Sequence, residues 1–563
     1  MEQTIGHPEP QLRRDKFFLL DGEWEISFGG KTDKIRVPYC PESELSGLAL
    51  ANGVTDCLYR RTFVLPDFLR GEERIVLRFG AVNHSAEVTL NGVRLGVHAG
   101  GYTPFSLDAG TALNREGENV LTVSVHNDLR ENVPSGKQTP KEKSFGCFYT
   151  RVTGIWQSVW LESVPVRHID YVRFYPDAER GTVGVEAGVT GKGAFEAEIF
   201  YEGKRVAAFS AETNDRLRTR LTLSEKHLWE PGQGRLYDVV LRFGQDTVHS
   251  YFGLRDVRYE GDRFLLNGRS VFQRLVLDQG YYPRGVYTPE TEGDFERDIR
   301  AAMELGFNGA RLHQKLFSPR YLYLCDRLGF LVWGEYASWG VEYYDLDALG
   351  TFVAEWREAM ERDFNHPSIV TWCPLNEAWN DLARPEKSRD ARFVETVYAM
   401  TKIFDPTRPC VDVSGGCHGR WTDVADFHCY DKFDDLKEKM LAAMRGQPAF
   451  HMMYCPGEEI GYAGEPLNLS EFGGIRLGAG EGDSWGYNTI EGEETFVADY
   501  ERKVRFLLGC KRLSGFCYTQ LYDVEQEENG LLTYGRRPKL SAEGMRRIRE
   551  ANLAPAAIED EGK

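Results

Sequence analysis

The chain has 563 residues, 42% of them hydrophobic and 12% aromatic, which supplies cores for roughly three to four domains. Its formal net charge of −18 at pH 7 argues against nucleic acid or an anionic membrane as partner, since an acidic surface repels both polyanions. No apolar run reaches the length of a membrane span, residues 1–14 lack an apolar signal core, and eleven cysteines lie scattered without CxxC or Cys/His ligand spacing, so the expectation is a cytoplasmic protein with buried thiols.

From residue 1 to 165 the pattern is all-β. Runs such as Val76-Leu-Arg-Phe, Ala86-Glu-Val-Thr-Leu, Val120-Leu-Thr-Val-Ser-Val and Ser158-Val-Trp-Leu-Glu alternate or cluster apolar and β-branched residues between Gly- and Asn-rich turns. Asn91-Gly92 predicts a hairpin, because both residues tolerate positive φ. Such a series reads as a jelly-roll β-sandwich. Residues 166–259 continue with short strands around Val183, Glu196, Leu221, Tyr237 and Val248, a spacing that fits an immunoglobulin-like sandwich, with Trp229 as a core aromatic. Neither segment offers a catalytic cluster, so both are expected to serve mainly as scaffold.

From 260 to 563 the texture changes. Eight strand candidates, beginning at Val271, Phe307, Phe330, Ile369, Cys410, Asp426, Leu467 and Gly515, alternate with helical patterns over 294–305, 319–328, 349–364, 391–404, 433–444, 496–508 and 541–551. Eight βα units make a TIM barrel, whose active sites lie at the C-terminal strand ends. The expected fold class is thus multidomain, β plus α/β: a jelly-roll, sugar-binding-like domain, an immunoglobulin-like β-sandwich and a C-terminal (β/α)8 barrel. Two strand ends carry a glutamate. Glu377 ends the fourth and Glu471 the seventh, 94 residues apart, which places both at one barrel mouth.

Several segments resemble glycoside hydrolase family 2, the family of bacterial β-galactosidases, β-glucuronidases and β-mannosidases. They are Leu20-Asp-Gly-Glu-Trp-Glu-Ile, Val88-Thr-Leu-Asn-Gly, Gly154-Ile-Trp-Gln-Ser-Val-Trp-Leu-Glu, Leu305-Gly-Phe-Asn-Gly-Ala-Arg-Leu-His, Cys325-Asp-Arg-Leu-Gly-Phe, Asp363-Phe-Asn-His-Pro-Ser-Ile-Val-Thr-Trp running into Asn376-Glu377, and Ser470-Glu471-Phe472-Gly473. The resemblance covers nearly the whole chain and implies a retaining mechanism, with Glu377 as acid/base, Glu471 as nucleophile and Asn376 as a substrate-binding residue. It further implies that Tyr430 orients the nucleophile and that Arg311 lies near it. Tyr518 stands where many members have a sugar-platform Trp, and His313 stands one place before the usual family His, where Gln314 is found. His428 is a further substrate-binding candidate, and Trp339, Trp421 and Trp485 are candidates to stack on sugar faces.

The chemistry asks for such a pair on its own account. A retaining glycosidase needs one protonated carboxyl for the leaving oxygen and one ionised carboxyl to attack the anomeric carbon. Glu377 must be the protonated one, favoured by burial and the neighbouring carboxylate. No cofactor or metal is expected: the segment just before the acid/base, where some large members hold magnesium, reads Cys373-Pro374-Leu375 and lacks hard oxygen ligands. The expected partner is a carbohydrate substrate, and a homo-oligomer is compatible with the reading. For the sugar, family β-glucuronidases pair the uronate with the Lys of an Asn-x-Lys motif after the eighth strand, whereas here the stretch reads Glu527-Glu528-Asn529-Gly530. Acidic residues there would repel a uronate, so a β-galactoside is expected. The alternative is a β-hexuronide whose carboxylate is met elsewhere, by Arg311, Lys315 or Arg151. A non-catalytic carbohydrate-binding protein and a glycosyl-transferring enzyme are the competing classes. The role of the loop 449–466 stays open.

Overall fold

The computed structural model describes residues 6–51, 54–379, 385–447, 461–478 and 483–559. Most of the loop 449–466 lies outside the described residues.

Two antiparallel sheets make the first domain. One sets Phe17–Leu19, Val159–Ser163, Ile75–Phe79 and Phe105–Asp108 side by side, and the other runs Lys31–Val37, Gly22–Phe28, Asp56–Val64, Glu118–His126, Ser85–Leu90 and Val93–Ala99. Period-two alternation sets the faces: Leu121, Val123 and Val125 are buried between the sheets while Ser124 is exposed. The Asn91-Gly92 hairpin forms, with φ of 51° and 79°.

The second domain packs a three-stranded sheet, His168–Asp177, Thr182–Thr190 and Arg216–Thr222, against a four-stranded one, Lys204–Thr213, Gly193–Tyr201, Tyr237–Phe243 and Asp246–Phe252. Trp229 is fully buried, though in a different core from the one its sequence neighbours suggest. It packs with Phe264, Leu275, Leu331 and Trp333 beneath the third domain and donates from Nε1 to the Asp326 carbonyl at 2.7 Å, so it seals the sandwich to the barrel floor.

In the barrel, seven parallel strands form one sheet. In spatial order these are the fourth, Ile369–Cys373; third, Leu331–Glu335; second, Gly309–Leu312; first, Gln273–Asp278; eighth, Leu513–Thr519; seventh, Leu467–Gly473; and sixth, Ala425–Cys429. Every residue of the first, second, seventh and eighth strands is buried, as expected of a parallel sheet covered by helices. Helices form at the seven expected places, from Glu292–Glu304 to Ala542–Asn552, with their apolar stripes inward.

The fifth strand is shorter than its sequence suggests. It reduces to Val413–Ser414, paired with Leu375–Asn376, plus a bridge from Cys410 to Trp372, and Gly415 and Gly416, with φ of 92° and 99°, end it. Among the described residues no ladder joins this strand to the sixth. Side chains close the wall instead: Ser414 Oγ donates to Asp426 Oδ2 at 2.7 Å, and His418 spans Asp412 Oδ1 at 2.7 Å and the Asp426 carbonyl at 2.8 Å.

Burial alone would lower the pKa of His418, but Asp412 and Asp426 outweigh it and push it up to about 9. A histidine raised in the folded state stabilises fully below its unfolded value and loses that contribution as pH rises through its folded value. His418→Gln should therefore lower the melting temperature most at about pH 6, with the gap closing toward about pH 9.5. A gap constant over that range would show that the charge of His418 does not hold this wall.

Candidate active site

Arg311, next to last in the second strand, has its side chain wholly buried, and its planar fork serves three acceptors at once. Nε donates to Glu335 Oε2 at 2.7 Å, Nη1 to Glu471 Oε1 at 2.6 Å and Nη2 to Asn376 Oδ1 at 2.5 Å. A lysine has no such geometry. One guanidinium thus ties together the ends of the third, fourth and seventh strands.

Glu377 follows the short strand Leu375–Asn376 with φ at 47°, a left-handed backbone that costs a non-glycine residue roughly 1–2 kcal/mol. Its amide donates to the Ser414 carbonyl at 2.8 Å. The turn brings its carboxyl to His428, whose Nδ1 lies 2.8 Å from Glu377 Oε1 while Nε2 lies 3.3 Å from Glu471 Oε1. A single imidazole therefore spans the two glutamates. Room for it depends on Gly415, where an added Cβ would stand 2.5 Å from the ring. Burial would lower the pKa of His428, but the two carboxylates raise it above its ordinary value.

At Glu471 burial favours the protonated form, yet His428, Arg311 and Lys137 outweigh it and hold the carboxyl well below the usual carboxylate range. The Tyr430 hydroxyl donates to Glu471 Oε2, and its ring stacks on Tyr487 with centroids 3.4 Å apart. Trp339 lies at the same mouth, donating from Nε1 to the Asn376 carbonyl at 3.1 Å. His313 is buried with Nδ1 2.9 Å from Glu335 Oε1, out of hydrogen-bond alignment. Burial, Lys137 and Arg311 keep it well below its ordinary pKa, hence neutral.

Two sequence candidates, Tyr518 and Trp421, lie elsewhere. Tyr518 is on the outward face of the eighth strand, edge-to-face with Phe472 and with Tyr500 of the helix Glu493–Leu508, so it packs between barrel and helix and offers no sugar platform. Its neighbour Cys517 is the residue that faces Arg311. Trp421 is 49% exposed, its ring beside the Arg420 guanidinium. Trp485 lies at the mouth, its ring edge-to-face with Tyr487 at 5.2 Å and its Nε1 donating to the Gly146 carbonyl at 2.6 Å.

The structure also adds residues. Glu335, at the end of the third strand, obeys the same strand-end rule as the two catalytic candidates. More unexpected is the first domain. Residues 127–153 carry no strand or helix and run across the barrel mouth. The amides of Ser135 and Gly136 donate to the Trp339 carbonyl at 2.8 and 3.0 Å, the Tyr149 hydroxyl donates to Glu527, and Phe148 packs on Trp339. The expectation that this domain is mainly scaffold is corrected: it also walls the site. A connection of such length inside a compact domain is itself a functional signal.

Among the described residues no cluster of three His, Cys, Asp or Glu side chains is placed to hold a metal ion, and no helix is long and apolar enough to cross a membrane. A separate cleft of about 630 Å³, lined by Tyr201, Asp238, His249 and Tyr323, contains none of the groups above.

Three family descriptions match the chain in order: the sugar binding domain of glycosyl hydrolases family 2 over 20–165, glycosyl hydrolases family 2 over 168–255, and its TIM barrel domain over 258–501. Among curated proteins, the chain is 28% identical over 394 residues to a β-glucuronidase of Rattus norvegicus, covering 63% of this chain and 58% of that protein. It is 28% identical over 367 residues to a β-galactosidase of Thermoanaerobacterium thermosulfurigenes, covering 59% and 47%. The chain thus spans about half the length of these relatives. Among solved structures, a β-galacturonidase from Eisenbergiella tayi aligns with a TM-score of 0.76 at 20% identity over 98% of this chain and 99% of that one. A Bifidobacterium dentium β-glucuronidase aligns at 0.80 and 21%, over 97% and 99%. With three consecutive domains matched in the family's own order, and strand-end glutamates gathered at the mouth of the third, the chain belongs to glycoside hydrolase family 2.

Proposed function

We propose that the protein is a retaining exo-β-glycosidase working by double displacement, and that its sugar is a β-linked hexuronide. The observation that carries the first part is the His428 imidazole held between Glu377 and Glu471, since two carboxyl groups that close, in unlike surroundings, are what a nucleophile and a proton donor require. In this reading ionised Glu471, fixed by Tyr430 and Arg311, attacks the anomeric carbon. Glu377 gives its proton to the leaving oxygen as the bond to the aglycone breaks. Glu377 then takes a proton from the water that releases the sugar. Asn376, its Oδ1 held by Arg311, keeps its amide donors for the sugar 2-OH.

The sugar is where this reading departs from the β-galactoside expected from sequence. The similar proteins are mostly β-glucuronidases and β-galacturonidases. The acidic run that argued against a uronate is also engaged within the protein. Glu527 accepts from Tyr149 and from Asn529 Nδ2, and burial pushes its pKa up, while Glu528 accepts from Ser484 Oγ at 2.6 Å. Nitrophenyl β-galacturonide, β-glucuronide and β-galactoside compared at equal concentration test the assignment. One of the uronides should be turned over at least about tenfold faster, the scale of a single charge-assisted hydrogen bond. Preference for the galactoside would return the sugar to the neutral class while leaving the glutamates in their roles.

A further inference from the structure

A hexuronide carries one charge that a neutral glycoside lacks, so a site built for it needs a cation that the protein itself leaves unspent. The three cations that sequence reasoning offered are occupied. Arg311 serves Glu335, Glu471 and Asn376. Lys315 donates to the carbonyls of Gly280 and Tyr287, at 2.5 and 3.0 Å. Arg151 donates to the Asn127 carbonyl at 2.8 Å, and although its Nε finds no partner among the described residues, the carboxylates it feels are Glu42 and Asp128 of the first domain rather than Glu377 or Glu471. Lys539, near the acidic run, bonds Asp523 and the Glu528 carbonyl.

Lys137 is different. It is only 6% exposed, yet its Nζ makes no hydrogen bond or ion pair with any described residue. The ammonium stands 5.5 Å from the ring centre of Trp339 and 5.9 Å from that of Tyr149. Burial opposes its charge, yet its surroundings, with the carboxyl groups of Glu527, Glu471 and Glu377 and the Cys147 thiol, raise its pKa above the ordinary lysine value. A buried, charged group without a hydrogen-bonding partner is costly, and such groups mark ligand sites.

The segment carrying Lys137 is fixed in place. Gly136 takes φ of +60°, and an added Cβ there would lie 2.2 Å from the Gln314 carbonyl oxygen, so only glycine lets the chain press this closely on the barrel. The Ser135 carbonyl accepts from Tyr102 at 2.9 Å, and Gln138 Oε1 accepts from the Val152 amide at 2.8 Å. We propose that Lys137, delivered by the first domain, is the specificity-determining cation that receives the carboxylate of a β-linked hexuronide. This rests on the reading of the site as a hexuronidase.

The experiment compares kcat/KM on nitrophenyl β-galacturonide and β-glucuronide with that on the β-galactoside, for wild type, Lys137→Met and Lys137→Arg. In Lys137→Met the uronide-to-galactoside ratio should fall on the order of 10²-fold, mainly through KM, because a charge-assisted hydrogen bond is lost only where the substrate has a carboxylate. Lys137→Arg should recover part of it. Should Lys137→Met fail to fold, Lys137→Gln is read on the same substrates. An unchanged ratio in a folded variant, with both substrates losing equally and the acid limb of the pH profile moved, overturns the proposal, since Lys137 would then act only through the charge of Glu471. A wild type that prefers the galactoside sinks the hexuronide reading itself, and that outcome is visible before any variant is made.

Discussion

Glu471→Ala is expected to abolish turnover, with a loss on the order of 10⁴-fold or more for removal of a covalent nucleophile. The shortened side chain vacates a place beside the cationic Arg311 guanidinium, next to the His428 imidazole and the Tyr430 hydroxyl. A small anion fits that vacancy electrostatically. Azide or formate should therefore restore part of the product from an activated glycoside, and because the anion attacks from the nucleophile's side with no second displacement, the product should have inverted anomeric configuration. Arg311 keeps Glu335 and Asn376 as partners in the variant, so the strand ends stay tied; Glu471→Gln serves as the fuller structural control. In the wild type, a 2-fluoro glycoside should leave its adduct on Glu471, read by mass spectrometry of the peptide. Retained configuration in the rescued product, or an adduct elsewhere, would remove Glu471 from the nucleophile's role.

The strands and helices of the barrel were legible because each apolar run is bounded by Gly, Pro or Asn, and each helix keeps an apolar stripe at its own period. What the one-dimensional pattern lacked was parity. Gly515-Phe-Cys-Tyr is buried on both faces, so no alternation distinguishes the inward Cys517 from the outward Tyr518, and only pairing with the neighbouring strands fixes which residue faces Arg311. Glu335 was hidden differently. The apolar run Phe330-Leu-Val-Trp stops two residues short of the carboxylate, although the ladder runs on through Gly334 to Glu335.

Lys137 was the hardest to see. On a loop it has the look of one more solvated lysine, and its chemistry exists only because residues 127–153 of one domain lie over the mouth of another. Contacts of that kind, such as Tyr149 with Glu527 across 378 positions, leave no local periodicity to read. The length of an unpatterned connection was the available sign. It marked the segment without naming the residue.

The same geometry predicts how Glu377 fails when it is removed. Glu377→Ala should lose on the order of 10² to 10⁴-fold on substrates with poor leaving groups, the range that general acid catalysis contributes. With a dinitrophenyl leaving group the oxygen departs without a proton, so the glycosylation step, followed in a single turnover, should be slowed far less. His428 loses one of its two carboxylate partners but keeps Glu471, which leaves the nucleophile ionised and oriented by Tyr430. The covalent intermediate should therefore still form and then persist, because the water that must release it has lost its base. Azide needs no base and should discharge it with retained configuration, the opposite outcome to that of the Glu471 variant. Equal losses on both leaving groups in single turnover would remove Glu377 from the acid/base role. A retained azide adduct from Glu377→Ala beside an inverted one from Glu471→Ala would assign the two glutamates separately, by stereochemistry rather than by loss of rate.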